Sequence, residues 1–254
     1  MGAVFAIAKR DFTAYFSSIK GSVIFWFFLI FMGFFFQSFV YSFVEMQQRA
    51  PMMGGDAPGL GQLLVALFHN IHFVLLLVIP AVTMASFAEE RRTQVSRLLQ
   101  TAPVSALQIV LGKFIASAGI VGLALLSSFV YPLFTIKYGN PDIAPIITGY
   151  FGLFLLVCGQ VAFGLWISSM TSNQFLAFAF TMFGIFLLLI LNWIAPNISS
   201  SEGVEGFVKY LASTSHLDVF FKGMITVADV VYFLTFAGLF LFFTVVVLDS
   251  RRWR

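Results

Sequence analysis

Charge is what this chain has least of. Asp, Glu, Lys and Arg make up 10% of its 254 residues, and hydrophobic residues make up 60%. A soluble domain carries about 25% charged residues, so this chain cannot cover itself with a surface that water tolerates. It belongs in a bilayer. There is a single cysteine, Cys158, set inside an apolar run, which excludes an intrachain disulfide. The net charge is only +3, without a long basic run, and makes no case for nucleic acid. The N-terminus lacks a basic region followed by an apolar core and an Ala-x-Ala site, so no cleavable signal peptide is expected. A Gly-rich phosphate loop, a Ser/His/Asp arrangement and paired carboxylates in a plausible cavity are all missing. No enzyme chemistry is expected of this chain.

What is present is a series of long apolar runs. Residues 23–44, 63–87, 114–136, 146–170, 175–195 and 230–248 each reach the length needed to cross a hydrocarbon core of about 30 Å. These six spans contain no Asp, Glu, Lys or Arg. Ion-coupled carriers bury such residues as relays, so a secondary pump is disfavoured. Pro80 is expected to bend the second span and Pro132 lies near the far end of the third. Before the first span, Val4, Phe5, Ala8, Phe12, Tyr15, Phe16 and Ile19 recur at helical spacing, with Lys9, Arg10 and Lys20 mostly off that stripe. That pattern predicts an amphipathic helix over 1–20, lying in the membrane interface.

Neutral polar residues remain inside the runs. His69 and His72 stand i, i+3 near the outer end of the second span, but two ligands do not make a metal site. Hydrogen bonding between helices suits them better, and Gln160 likewise reads as glue between helices.

The most informative charged stretch is 88–113, AEERRTQVSRLLQTAPVSALQIVLGK. Glu89, Glu90, Arg91 and Arg92 stop the run before it, and Lys113 opens the run after it. Val95, Leu98 and Leu99 fall at i, i+3 and i+4, giving a helix over 93–101 one small apolar face. Pro103 ends that helix. Ser105 and Gln108 then read as the capping box of the next. A knob of this kind suits a groove on a soluble partner, while an ordinary basic loop has the same composition.

Six spans put both termini on one side. The segments on that side hold ten Lys/Arg and four Asp/Glu; those on the other hold four and seven. The bias predicts that the termini and the 88–113 stretch face the cytoplasm. On the outer side, 196–229 contains two apolar stretches, 204–211 and 217–225, each too short to span. They are expected to lie in the interface or dip back into protein, as an ordered lid or an outer gate.

Three stretches resemble one family. The N-terminal AKRDFTAYFSS, the run VIPAVTMASFAEERRTQVSRLLQTAPVSALQIVLGK, and the C-terminal STSHLDVFFKGMITVADVVYFLTFAGLFLFFTVVVLDSRRWR look like ABC-2 type permeases of the gliding-motility subgroup. The resemblance implies an all-α membrane protein of the ABC-2 exporter fold, with an interfacial helix, six spans, a cytoplasmic coupling helix and short outer gate helices. It implies two cytoplasmic ATPase subunits, which hold the ATP and magnesium, a second permease copy, identical or related, and a bacterial inner-membrane location. Glu89, Glu90, Arg91, Arg92, Val95, Leu98, Leu99 and Pro103 match the family's coupling element. His216, Gly223, Asp229, Tyr232 and Phe233 match its last outer segment. Gln94 and Val95 stand where the family has Gly-Thr, and Ile19 stands where it has proline. Two functions follow as alternatives: the permease half of an ATP-driven exporter, or a membrane subunit that transmits force and passes no substrate.

Overall fold

The computed structural model describes residues 2–49, 59–92, 104–139, 141–198 and 202–252. Among them every regular element is helical: α1 (Gly2–Ser17), α2 (Ile19–Arg49), α3 (Leu60–Arg92), α4 (Ala106–Ser127), α5 (Val130–Gly139), α6 (Ile143–Met170), α7 (Gln174–Ile198), α8 (Glu202–Leu211), α9 (Ser213–Phe221) and α10 (Val227–Arg252). Six stretches are long and apolar enough to cross a membrane: Gly21–Arg49, Leu60–Arg91, Ala106–Gly139, Ile143–Met170, Gln174–Ile194 and Val227–Arg251. All-helical spans are the expected outcome in lipid, where every backbone N–H and C=O must find its partner within the segment.

The bundle is built around α6, which packs against α3 and α10 and also meets α4, α7 and α9. Small residues permit this. A Cβ on Gly164 would stand 2.3 Å from Thr83 Oγ1, so only glycine lets α6 approach α3 there. Nearby, Ser168 Oγ accepts from the N–H groups of Phe87 and Ala88 (3.2 and 3.3 Å) and donates to the Met84 carbonyl, pinning the last turns of α3 to α6. The spans divide into two classes. In the most apolar window of α3, of α4 with α5, and of α6, 72%, 67% and 67% of residues are buried; in α2, α7 and α10 only 11%, 17% and 17% are. The second class therefore presents its apolar faces to lipid or to another protein.

Call the end of the bundle that carries α1, the C-terminus of α3 and the start of α4 the near end. On α2, Trp26 lies toward the near end and Tyr41 toward the far end, both exposed, with about 22 Å of helix between them. Tyr138 and Trp193 are exposed at the far end as well. Amphipathic rings at both levels are what membrane–water boundaries collect.

Two breaks modify the span pattern. Between α1 and α2, Ser18 Oγ donates to the Tyr15 carbonyl (2.8 Å) and accepts from Gly21 N–H (3.1 Å). A Cβ at Gly21 would collide with that same carbonyl at 2.1 Å. A serine and a glycine thus make the turn beside Ile19 without proline. The third span departs further from the expected 114–136. It begins at Ala106, breaks at 128–129 and ends at Gly139. Pro132 explains the break, because it has no N–H for the Ser128 carbonyl and its ring crowds that group. The Ser128 carbonyl accepts instead from the Tyr131 N–H (3.1 Å), while Ser128 Oγ donates to the Leu125 carbonyl and pairs with Tyr150 Oη at 3.0 Å. By contrast α3 runs unbroken across Pro80.

The apolar stripe of α1 is used against protein. Ile7 sits on Gly112 and Phe12 on Gly119, so the contacts advance in the same sense along α1 and α4. Ala8 is buried, Lys9 and Arg10 are exposed, and Phe5 and Ile19 from the stripe also stay exposed.

Candidate functional site

At the near end the helix start predicted from sequence is in place. Ser105 Oγ accepts from Gln108 N–H, and Gln108 Oε1 accepts from Ser105 N–H at 3.0 Å. The cap sets α4 two turns earlier than hydropathy suggests, and this moves Lys113 inside the helix. The expectation that Lys113 merely opens a span is thereby corrected: it is 3% exposed and sits between three helices. Its Nζ donates to Glu90 Oε1 (2.7 Å), to the Ser86 carbonyl (2.7 Å) and to Asp11 Oδ2 (3.2 Å), and lies 5.1 Å from the centre of the Phe87 ring. Arg10 closes the set, reaching Asp11 Oδ1 at 2.7 Å and Glu90 Oε1 at 3.2 Å.

Among the described residues two cations, Arg10 and Lys113, and two carboxylates, Asp11 and Glu90, therefore join α1, the last turn of α3 and the second turn of α4. Desolvating an ammonium costs several kcal/mol unless partners of opposite charge meet it, and here all three Lys113 N–H groups have acceptors. In sequence Arg10 marks only the polar side of α1. The capping box carries the signal: a helix begun at Ala106 takes Lys113 into the packed region.

Beside this cluster lies a cavity of about 570 Å³ between α1, α2, α3, α4 and the start of α7. Its walls include Asp11, Tyr15, Glu89, Glu90 and Lys113, and its apolar side mixes alanines such as Ala81, Ala85 and Ala116 with Ile24, Val82 and Ile120. The Tyr15 hydroxyl is buried and has no partner among the described residues. Burial pushes that phenol above its ordinary range. Of the coupling residues expected from sequence, Glu89, Glu90 and Arg91 fall in the last turns of α3, where Arg92 ends the helix. Val95, Leu98, Leu99, Pro103 and the 93–101 helix lie outside the described residues, as does the Arg92 side chain. Residues 50–58 and 253–254 do so too.

The far end gathers the second set. His216, on α9, is buried. Its Nδ1 lies 2.6 Å from Asp229 Oδ1 at the start of α10, and its Nε2 lies 2.9 Å from the Tyr210 carbonyl at the end of α8. The ring stacks on Tyr232, centroids 4.0 Å apart at 19°, and meets Tyr210 edge-on at 5.1 Å. Tyr232 Oη donates to the Leu211 carbonyl (2.9 Å), and Phe233 packs beneath with 2% exposure. Thr226 donates to the other oxygen of Asp229. Gly223, at φ +85°, reverses the chain after α9: its N–H bonds to the Phe220 carbonyl and that of Met224 to the Val219 carbonyl. A left-handed residue at this position favours glycine. His216, Asp229, Tyr232 and Phe233 thus meet in one place, while Gly223 turns the chain after α9 against Pro145. Tyr210 was missed because it takes part through its backbone carbonyl, which no side-chain pattern marks; Thr226 was missed although Asp229, its partner, stands only three residues later.

The two histidines of α3 part company. His69 Nε2 lies 3.4 Å from Asp218 Oδ1 on α9, while His72 turns inward to Gln160 on α6, also at 3.4 Å. Burial raises the Asp218 carboxyl above its ordinary value, and His69 and Lys222 pull it back down. Among the described residues no three His, Cys, Asp or Glu side chains gather as metal ligands would.

Comparison with known proteins adds one match. Residues 44–248 fit a family model described as ABC-2 family transporter protein. No curated protein matches the chain.

Proposed function

The chain belongs to the ABC-2 family of transporter proteins, and from that premise we propose that it is the permease half of an ATP-driven exporter, worked by a separate cytoplasmic ATPase through the 88–105 element. The ionic cluster at Lys113 carries the reading. Residues 93–103 leave α3 three residues after Glu90 and return at the Ser105 cap, eight residues before Lys113. Both roots of that segment are therefore tied through buried charge to one another and to α1. A push on a segment held in this way moves α1, α3 and α4 together, because a saturated buried ion pair resists separation.

Other parts of the proposal follow. The near end faces the cytoplasm, in keeping with the lysine and arginine bias, and the membrane is the bacterial inner membrane. A second copy covers apolar surface left open on α2, α7 or α10. Membership of the gliding-motility subgroup rests on the N-terminal and C-terminal stretches quoted above. His216, Gly223, Asp229, Tyr232 and Phe233 hold the outer gate. The export reading is favoured over a purely mechanical subunit by the 570 Å³ cavity beside the coupling root, which falls in the size range of small-molecule sites.

The test is the double substitution Leu98→Asp with Leu99→Asp, in the permease copurified with its ATPase and reconstituted in liposomes. ATP turnover is expected to lose its link to transport while insertion and assembly survive. Unchanged transport would remove the docking role from this segment.

A further inference from the structure

Two guanidinium groups are drawn together at the near end. Arg91 stands in the last turn of α3 and Arg251 in the last turn of α10. The C-terminal turn of α6 sets them level. Ser168 accepts from the N–H groups of Phe87 and Ala88, one turn before Arg91, and the Met170 carbonyl accepts from Arg251 Nη2 at 3.4 Å. Arg251 is close enough for its charge to repel that of Arg91. Arg91 is partly buried, and among the described residues no acceptor offsets that repulsion. Holding like charges together in a partly desolvated place is costly unless an anion meets them.

The carboxylates nearest in sequence are placed elsewhere. Glu90 is engaged by Lys113 and Arg10, Glu89 lines the cavity beside them, and Asp249 stands about 200° round α10 from Arg251. Depth then narrows the class of anion. The apolar runs 63–87 and 230–248 end four and three residues before the two arginines. Both therefore stand about 5 Å past the hydrocarbon, at the level of lipid headgroups. Toward the membrane centre Met170, Phe242, Phe243 and Val246 are exposed, and Trp166 of α6 meets Phe243 at 5.9 Å. Two guanidiniums grip a phosphate through paired N–H donors, and the open apolar surface below gives acyl chains a place to lie. A free phosphate uses only the first of these features; a phospholipid uses both.

We propose that Arg91 and Arg251 form a binding site for the headgroup phosphate of an anionic phospholipid, whose acyl chains lie along α10 beside α6. The bound phosphate cancels the repulsion between the two arginines and bridges the ends of α3 and α10. The site rests on these helices being membrane spans. It does not rest on transport or on an ATPase.

The full chain is purified in detergent without any ATPase, and lipid binding is read by native mass spectrometry. Phosphatidylglycerol and phosphatidylcholine of identical acyl chains are titrated in turn. The unsubstituted chain is expected to hold one phosphatidylglycerol about tenfold more tightly than phosphatidylcholine, and Arg91→Gln and Arg251→Gln each to weaken that binding about fivefold. Arg251 is exposed, so its variant keeps the test open even where Arg91→Gln disturbs the end of α3. Arg49→Gln, at an exposed far-end arginine paired with Glu45, controls for overall charge and is expected to bind as the unsubstituted chain does. Equal affinity for the two lipids overturns the proposal, and so does phosphatidylglycerol binding that survives Arg251→Gln or falls equally in Arg49→Gln. Displacement of the lipid by excess inorganic phosphate also overturns it, because the site would then be one for free anions. So does a result in which the arginine variants keep the lipid but lose copurification with the ATPase, which would give the pair to that partner. The lipid titrations involve no transport, so a failed permease reading leaves their outcome untouched.

Discussion

Replacing Glu90 by Gln isolates the charge that Lys113 depends on most. Gln keeps the size and an acceptor oxygen, but leaves a 3% exposed ammonium with Asp11 at 3.2 Å and one carbonyl. Breaking a buried pair by removing one partner costs about 3–5 kcal/mol; the retained Asp11 and the partial exposure of Glu90 lower the expectation to about 2–3 kcal/mol. At about 2–4 °C per kcal/mol for a chain of this size, the unfolding midpoint should fall by roughly 4–12 °C. Lys113→Met should cost less, since Arg10 still reaches both carboxylates. Combined, the two substitutions remove both central charges and should be milder than their sum by about 1–2 kcal/mol. Arg10→Ala, at a side chain 46% exposed, should cost under about 1 kcal/mol. The assay is thermal unfolding in one detergent across the full double-mutant cycle. Strict additivity, or an Arg10 effect as large as that of Glu90, would refute the idea that buried charge holds this junction.

Three further outcomes follow. Ser105→Ala removes half of the capping box and should cost about 1 kcal/mol, seen as faster amide exchange over 106–109 with the rest of α4 unchanged. Gly164→Val should lower stability by about 1–3 kcal/mol or more, because Thr83 leaves no room for a Cβ, and Thr83→Ala should restore part of the loss. Gly223→Ala should cost about 1–2 kcal/mol through its left-handed backbone and should raise exchange through α9, as a comparison of amide protection would show.

How far the sequence revealed this molecule depends on the range of the interaction. Hydropathy alone marked six long apolar stretches, because a bilayer imposes length and composition segment by segment. The capping box was legible for the same reason, since both partners lie within three residues. His216, Gly223, Asp229, Tyr232 and Phe233 stand out by family resemblance rather than by spacing. What stayed hidden is tertiary. Asp11 and Lys113 are 102 positions apart, and nothing in either neighbourhood declares the pairing. The break at 128–129 is half visible in sequence: Pro132 marks it, but acts four residues earlier, on the Ser128 carbonyl. For α1 the helix was legible and its partner was not, because an apolar stripe fits lipid and a neighbouring helix equally.

The central claim is that force reaches this membrane body from outside it, through residues 93–103. The direct measurement places single cysteines along that segment, for example Ser96→Cys in a Cys158→Ser background. Each variant is reconstituted with the copurified ATPase, and crosslink yield is read with and without nucleotide. The account predicts crosslinks from this segment to the ATPase whose yield changes on nucleotide binding, and none from the far-end turn at Met224→Cys. Crosslinking confined to the far end, or nucleotide hydrolysis by the purified chain alone, would contradict it.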